Sequence, residues 1–328
     1  MDISCAFATA LDTADYIAVA EQLGYRRAWC YDSPGLYADV WMVLAQAAPR
    51  TSTIGLGPAV LVPSLRHPMT NAAAIATLVA WAPERVAVAI GAGFTGRMVF
   101  GQRPMRWSDV EAYVRTLRAL LRGEEAEWDG TRLKMLHTAH CVPPRPIDVP
   151  ILIGADGPKG LAVAANVADG VFSAVVPQAD PGPLTWRALL RFGTVLGDGE
   201  APTSPRAIAA VGPALAVGYH ALYERGGSAV DRLPGGPQWR ESVESARPSA
   251  RHLEIHQGHL IEANRHDQLV IEDAAPLAPK LTMTGSAAEV RERLGALAAV
   301  GVTEIAYQPA GPDIPRELEA FAAAADGV

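Results

Sequence analysis

Residues 149–172, VPILIGADGPKGLAVAANVADGVF, contain one complete turn from a β-strand into an α-helix. The apolar run that ends at Ile153 predicts a buried strand, and the i, i+3, i+4, i+7 apolar spacing that begins at Leu161 predicts a helix. Backbone N–H groups at a glycine-containing turn, together with the helix dipole, favour an anion. The turn therefore predicts a phosphate site, although any tight connection between a strand and a helix can use glycine for its geometry.

The same alternation of strand and helix runs along the whole chain, and eight such units fit a (β/α)₈ TIM barrel better than an open doubly wound sheet. Strands are predicted at 2–8, 27–31, 54–61, 85–90, 149–153, 170–175, 208–216 and 304–308. Helices are predicted at 13–24, 38–48, 67–82, 107–122, 158–168, 181–196, 285–300 and 314–325. The fold class is thus α/β, one domain over residues 1–328. Two insertions are expected, at about 124–148, with a hairpin turn at 127–130, and at about 217–280.

Composition excludes several classes of protein. The 328 residues carry a net charge of -7 and no cluster of basic residues, so nucleic acid is not an expected partner. Three cysteines without C-x-x-C spacing give no disulfide framework and no cysteine zinc site. The N-terminus lacks the basic region of a signal peptide, and no apolar run is long enough for a membrane span. We expect a cytoplasmic protein that acts on a small molecule.

The candidate functional residues are sought at the carboxyl ends of the predicted strands, because the active sites of TIM barrels are built from the loops that follow the strands. Asp32, after the second strand, could bind a cofactor or act as a base, or could cap a turn. Glycine and proline inside the third strand indicate either a bulge beside a ligand or a bent strand. The small residues Gly91, Ala92 and Gly93 leave room for a flat ring or serve only the turn.

The second insertion contains RHLEIHQGHLIEANRHD, in which His252, His256 and His259 are spaced i, i+4, i+7. On a helix this spacing would place three imidazoles on one face, as in a zinc site. Gly258 argues against a helix, and no acidic ligand follows at a suitable spacing, so no metal is assigned. His259 is kept as a candidate for proton transfer, with a structural role as the alternative.

Three segments together resemble the bacterial luciferase-like superfamily, and especially its branch that depends on the deazaflavin coenzyme F420. They are GPAVLVPSLRHP at 57–68, ERVAVAIGAGF at 84–94 and the quoted segment at 149–172, and the similarity extends to GSAAEVRERLGALAAVGVTEIAYQPAG near the end. It is weakest over residues 217–280. The resemblance implies a TIM barrel with insertions, usually dimeric, that binds F420 or FMN.

The resemblance also implies a set of site residues. A non-prolyl cis peptide would fall at Ala59–Val60 beside the central ring of the cofactor, and Asp32 would face that cofactor. Gly91, Ala92 and Gly93 would line the ring. The residues that would hold the phosphate are Gly154, Ala155, Asp156, Gly157, Pro158 and Lys159. Tyr37 stands where family dehydrogenases have a tryptophan, and it joins Asp32 and His259 as a catalytic candidate.

Two departures from the family pattern favour one reaction. Family dehydrogenases carry an Asp-His pair where this chain has Asp32-Ser33, and a catalytic glutamate where it has Phe94. The sequence therefore predicts a reductase that transfers hydride from reduced F420 to a C=C or C=N acceptor. The alternatives are an FMN-dependent monooxygenase, in which Arg97 could serve the flavin phosphate, and a non-catalytic flavin-binding protein.

Overall fold

The computed structural model describes residues 1–176 and 182–328, which divide into two compact units. The first unit contains Met1–Arg97, Arg103–Leu190 and Val300–Ala306. The second contains Met98–Gln102, Arg191–Ala299 and Tyr307–Val328. One domain over the whole chain stays a prediction.

The main sheet is a barrel of parallel strands, as the sequence predicts. The strands are β1 Asp2–Phe7, β2 Arg27–Cys30, β3 Gly55–Pro58, β4 Val88–Gly91, β5 Ala126–Trp128, β6 Thr131–Leu133, β7 Ile151–Gly154, β8 Gly170–Ser173, β9 Trp186–Phe192 and β10 Glu304–Gln308. In the described residues, eight of them form one sheet in the order β3-β2-β1-β10-β9-β8-β7-β4. Parallel bridges Leu56–Val86 and Leu61–Ile90 join its two edges, so the sheet closes into a (β/α)₈ TIM barrel. The predicted hairpin is the antiparallel pair β5–β6.

Helices follow most barrel strands, and a further group forms the second unit. They are α1 Thr13–Gln22, α2 Val40–Ala47, α3 Pro68–Trp81, α4 Phe94–Met98, α5 Trp107–Arg122, α6 Pro158–Val167, α7 Pro205–Gly226, α8 Gly236–Glu244, α9 Arg251–His256, α10 Ile271–Ala274, α11 Ala278–Leu281, α12 Ala287–Ala299 and α13 Ile314–Ala325. None of the helices within the described ranges has the length and apolar character that crossing a membrane requires.

Two neighbouring segments have the opposite secondary structure from the one predicted: the predicted helix contains a strand, and the predicted strand is helical. Residues 208–216, predicted as the seventh barrel strand, lie inside α7. The seventh barrel strand is instead β9, which lies within the segment 181–196 that the sequence predicts as a helix. The first residue of that segment lies outside the described ranges. The run AIAAVGPALA is rich in alanine, the best helix former. Ser204 caps the helix by accepting a hydrogen bond from the backbone N–H of Ala207 at 3.1 Å. A short apolar run alone does not distinguish a strand from a buried helix.

The second unit has an apolar core of its own. It is formed by α7 and the shorter helices that follow, and Trp239 lies at its centre with no exposed surface. The other buried residues of this core are Val211, Leu215, Tyr219, Val230, Val243, Ile255, Val270, Ala274 and Ala278. The predicted insertion at 217–280 therefore begins within α7 and is a helical body rather than a loop.

A buried carboxylate joins three strands at the amino-terminal end of the barrel. Glu304 of β10 accepts hydrogen bonds from the indole N–H groups of Trp29 in β2, at 2.8 Å, and of Trp186 in β9, at 2.6 Å. The Arg27 guanidinium lies over both rings, 5.4 and 4.9 Å from their centroids. Glu304 is only 1% exposed, so both indole donors depend on it.

At the opposite end of the barrel, the side chain of Val60 fills the space beside two paired glycines. The peptide Ala59–Val60 is cis, as the resemblance implies, and Gly91 of β4 lies in register with Gly154 of β7. A Cβ atom on Gly91 would lie 2.9 Å from Val60 Cγ2, and one on Gly154 only 2.5 Å from Val60 Cγ1. Glycine is therefore required at these two strand ends by packing within the protein.

Glu304→Gln should lower the free energy of unfolding by about 1–3 kcal/mol, because the amide can accept from one indole but presents an N–H donor to the other. Urea unfolding followed by tryptophan fluorescence measures the change. The control is Glu127→Gln, which removes the same charge from an exposed position in β5. Equal stability of the Glu304 variant and wild type would contradict this account of the barrel end.

Gly154→Ala should destabilise the protein by about 1–3 kcal/mol, since its Cβ would overlap Val60 Cγ1. The double variant Val60→Ala/Gly154→Ala should lose less than the two single variants together, because the shorter side chain removes the overlap. Gly157→Ala is the control, as its Cβ would meet no atom within 4 Å. Strictly additive losses would show that the two residues do not compete for this space.

Candidate functional site

The candidate site lies in the first unit, at the carboxyl ends of β2, β3, β4 and β7. Because these strands are parallel and share one barrel, their ends face the same side of it. Val60, Gly91 and Gly154 are in direct proximity there. The structure thus brings together residues from three of the strand ends that the sequence selected.

Asp32, which follows β2, is not an open carboxylate. Its side chain is 1% exposed, and both of its oxygens accept hydrogen bonds from Nη1 of Arg66. The other terminal nitrogen of Arg66 donates to Asp39 at 2.6 Å, and Asp39 in turn caps α2. The ion pair ties the loop after β3 to the end of β2, so Asp32 acts first as a positioning residue.

A chain of hydrogen bonds holds Arg66 from behind. Tyr113 of α5 donates its hydroxyl hydrogen to the Arg66 carbonyl at 3.1 Å, and Asn71 of α3 donates to the Tyr113 oxygen at 2.7 Å. The indole of Trp41 then donates to Asn71 at 3.0 Å. Three helices therefore fix the backbone that carries the arginine.

Burial and Arg66 have opposite effects on the pKa of Asp32. Burial raises the pKa of Asp32 above its ordinary value, and hydrogen bonds from Arg66 oppose that rise without cancelling it. A carboxyl group with a raised pKa can exchange a proton closer to neutral pH than a solvated aspartate. Its almost complete enclosure, however, leaves little surface from which to reach a substrate.

Two tyrosines lie at the same strand end. Tyr31 and Tyr37 are both buried, with ring centroids 6.3 Å apart. Burial raises the pKa of each phenol, so both keep their protons at neutral pH. Tyr37 is consequently suited to donate a hydrogen bond rather than to act as a base.

The turn after β7 gives its glycines different roles. Gly160 allows α6 to approach Trp107, since a Cβ there would lie 2.5 Å from that ring, whereas Gly157 has open space around it. Gly157 is the N-cap of α6 and supplies no side chain to cap the helix. The first backbone N–H groups of a helix have no partners within it, so this end can accept an anion.

The charged residues of the turn also differ from one another. Asp156 accepts hydrogen bonds from the backbone N–H groups of Ala174 and Val175, at 2.8 and 3.0 Å, and so anchors the loop after β8. Lys159 is exposed in the first turn of α6. Among the described residues, no ion pair engages its ammonium group within 4.0 Å. Lys159 is therefore available to an anion bound at the helix end.

Three other predicted residues have surroundings that differ from those the sequence suggested. Arg97, the alternative phosphate ligand for FMN, donates to Ser64 Oγ and, at 2.7 Å, to the Arg103 carbonyl. Gly93 has φ +80°, and its Cβ would lie 2.5 Å from Val62, so the turn itself requires glycine. His259 belongs to the second unit, where it joins two other histidines.

Arg66 is the residue that sequence reasoning missed. It lies within the segment GPAVLVPSLRHP, 34 residues from Asp32, and no local spacing links it to that carboxylate. A buried aspartate at a strand end needs a compensating cation. That requirement was the available signal.

Comparisons with known proteins agree with the fold. Residues 7–304 match the model of the luciferase-like monooxygenase family. The solved structure of the coenzyme F420-dependent tetrahydromethanopterin reductase from Methanopyrus kandleri superposes with a TM-score of 0.67 at 21% identity, covering 98% of both chains. At that identity the likeness concerns the fold.

Two curated relatives match about half of the chain. A 5,10-methylenetetrahydromethanopterin reductase from Archaeoglobus fulgidus is 32% identical over 160 residues, 48% of this chain and 47% of the relative. An F420-dependent glucose-6-phosphate dehydrogenase from Beutenbergia cavernae is 33% identical over 175 residues, 48% and 51% of the two. The chain thus spans about half the length of the curated relatives it matches. The family match over residues 7–304 shows that the chain belongs to the luciferase-like monooxygenase family.

Proposed function

We propose that this protein is an F420-dependent oxidoreductase that transfers hydride from the reduced deazaflavin to an electron-poor C=C or C=N bond. The observation that carries the proposal is the 33% identity to an F420-dependent glucose-6-phosphate dehydrogenase and the 32% identity to a 5,10-methylenetetrahydromethanopterin reductase, combined with a helix end suited to the cofactor phosphate. The homologous regions cover only about half of those relatives, so the activity is inferred for this chain and not transferred as a whole.

The residues at the end of α6 fit a phosphate. Gly157 leaves open space beside the first turn, no side chain caps the helix, and the exposed Lys159 adds a positive charge. The N–H groups of the first turn would donate to phosphate oxygens, and Lys159 would pair with the charge. Asp156 is assigned to the support of this turn, since its carboxylate already holds the loop after β8.

The remaining strand ends would position the ring system. Val60 and Ala92 are half-buried at the barrel end, and their side chains would provide an apolar surface beside the buried Gly91 and Ala155. When bound, reduced F420 supplies the hydride. The chain's own contribution is to hold the reacting groups in place and to exclude water.

Reduction fits the chain better than oxidation of a sugar or an alcohol. Oxidation of a hydroxyl group requires a base to remove its proton. Ser33 and Phe94 occupy the positions where family dehydrogenases carry histidine and glutamate, and neither side chain can serve as that base. Tyr37, whose phenol stays protonated, is assigned to donate a hydrogen bond to the acceptor, while Asp32 holds the loop through Arg66.

The second candidate is an FMN-dependent monooxygenase, favoured by the description of the matched family. A phosphate at α6 would serve FMN as well as F420. Arg97 contributes less to this alternative than the sequence suggested, because its guanidinium is already bound to Ser64 and to the Arg103 carbonyl. A homodimer in the cytoplasm stays a prediction for either enzyme.

Titration of the purified protein with F420 and with FMN, followed by cofactor fluorescence, should show tighter binding of F420. Stopped-flow spectroscopy should then show reoxidation of reduced F420 by activated enones or imines under anaerobic conditions. Binding of FMN alone, with oxygen consumption, would replace the proposal by the monooxygenase. Binding of either cofactor without turnover of any acceptor would favour a carrier protein.

Lys159→Ala should weaken F420 binding by about 10–100-fold, the effect of losing one charge-assisted contact. The same variant should bind the deazaflavin chromophore without its phosphate-bearing tail as wild type does, since the lost contact is to the phosphate. Lys134→Ala removes the same charge from another exposed position and is the matched control. Equal weakening for both ligands, or for neither, would contradict the phosphate assignment.

A further inference from the structure

Three buried histidines of the second unit converge on one point. His220 lies in α7, His256 ends α9, and His259 follows three residues later. One ring nitrogen of each lies within 4.8 Å of those of the other two. Each residue is at most 4% exposed, so the three imidazoles meet in the interior of the unit.

This trio differs from the one that the sequence spacing suggested. The helix ends at His256, and Gly258, with φ +71°, turns the chain so that His259 does not continue the helical face. His252 points elsewhere, with its ring 3.4 Å from the position of a Cβ on Gly101. His220, 39 residues before His259, takes the third place.

The spacing of the nitrogens matches a tetrahedral metal site. Nδ1 of His220 and Nδ1 of His259 are 3.3 Å apart. Two nitrogens bound to zinc at about 2.0–2.1 Å with a tetrahedral angle are separated by roughly 3.3 Å. The observed distance also suits a hydrogen bond between two neutral rings, so the neighbouring groups must distinguish the two arrangements.

A carboxylate orients His220 for ligation. Asp267 Oδ1 lies 3.0 Å from Nε2 of His220 and also accepts the indole N–H of Trp239 at 2.9 Å. The backbone N–H of Asn264 donates to Asp267 Oδ2 at 3.2 Å. An acidic partner on Nε2 keeps the proton there and leaves the lone pair of Nδ1 directed at the other histidines, which is the usual outer support of a metal-bound histidine.

Hydrogen bonds within the trio do not explain why His256 is buried. Within the described ranges neither of its ring nitrogens has a hydrogen-bond partner, although the residue is 1% exposed. Its Nε2 lies 3.4 Å from Glu224 Oε1, outside hydrogen-bond geometry. A buried imidazole without partners is costly, and ligation of an ion at the centre of the trio removes that cost.

We propose that His220, His256 and His259 together bind one divalent transition-metal ion, with zinc as the best match to three imidazole donors. Burial, and then the two neighbouring histidines, lower the pKa of His259, so it is a neutral ligand at physiological pH. The ion links α7 to the segment that begins with α9. Its role is to stabilise the second unit, independently of the proposed cofactor site in the first.

The decisive experiment uses the wild-type protein stripped with a chelator and dialysed. Added Zn²⁺ should be retained at about one equivalent per chain by elemental analysis, and Co²⁺ should give the intense visible bands of a four-coordinate site. Thermal unfolding should shift to higher temperature as free Zn²⁺ rises, and a chelator should reverse the shift. Retention of no metal, or the weak spectrum of Co²⁺ in water, overturns the proposal whatever the cofactor titration gives.

Variants locate the site. His256→Gln and His259→Gln should each abolish the Co²⁺ bands and the Zn²⁺-dependent shift in melting temperature. His252→Gln, which changes a histidine of the same helix outside the trio, should keep both. If either trio variant does not fold, the spectrum and stoichiometry of the wild type decide alone. Retention of the Co²⁺ bands in both trio variants would place the metal elsewhere and overturn the assignment.

Discussion

The side chain of Val60 sets the constraint on which the carboxyl end of the barrel depends. It occupies the space that a Cβ atom would need at both Gly91 and Gly154, the paired last residues of β4 and β7. Any larger residue at either position would displace Val60 or separate the strands. The sequence suggested that Gly91 makes room for a cofactor ring or serves the turn, and that Gly154 belongs to a phosphate site. Packing within the protein requires them first, and in the proposed complex the ring would rest on the surface that Val60 creates.

A second constraint at the same end of the barrel is electrostatic, and it comes from the ion pair of Asp32 with Arg66. Asp32 would be an unstable buried charge without Arg66, and Arg66 is fixed by Tyr113 and Asn71. The same interaction that makes Asp32 tolerable also removes it from open solvent. A carboxylate at the carboxyl end of a barrel strand is often catalytic. Here, however, its hydrogen bonds with Arg66 favour a role in positioning the loop after β3. In the proposed reductase Tyr37, which keeps its proton, would donate a hydrogen bond to the acceptor in place of Asp32.

The sequence was sufficient for the barrel and insufficient for contacts between distant residues. Buried parallel strands are short apolar runs, and their alternation with amphipathic helices predicted seven of the eight barrel strands in the described residues. The prediction failed at 186–192 and 208–216, where two apolar segments exchange their secondary structure and only tertiary packing chooses between them. Arg66 and His220 were missed as partners because they meet Asp32 and His259 across 34 and 39 residues, which no local spacing encodes.

In the turn at 154–160, the structure gives each of the three glycines a separate physical reason. Gly154 is required by Val60, and Gly160 by the ring of Trp107 and the Cβ of Ala155. Gly157 alone, of the three glycines in this described turn, has neither a positive φ nor an atom that a Cβ would meet. Its lack of a side chain serves no internal packing, and it stands at the uncapped start of α6 beside Lys159. The phosphate site that we propose for the motif would therefore depend on this one residue and on the helix end that it leaves open.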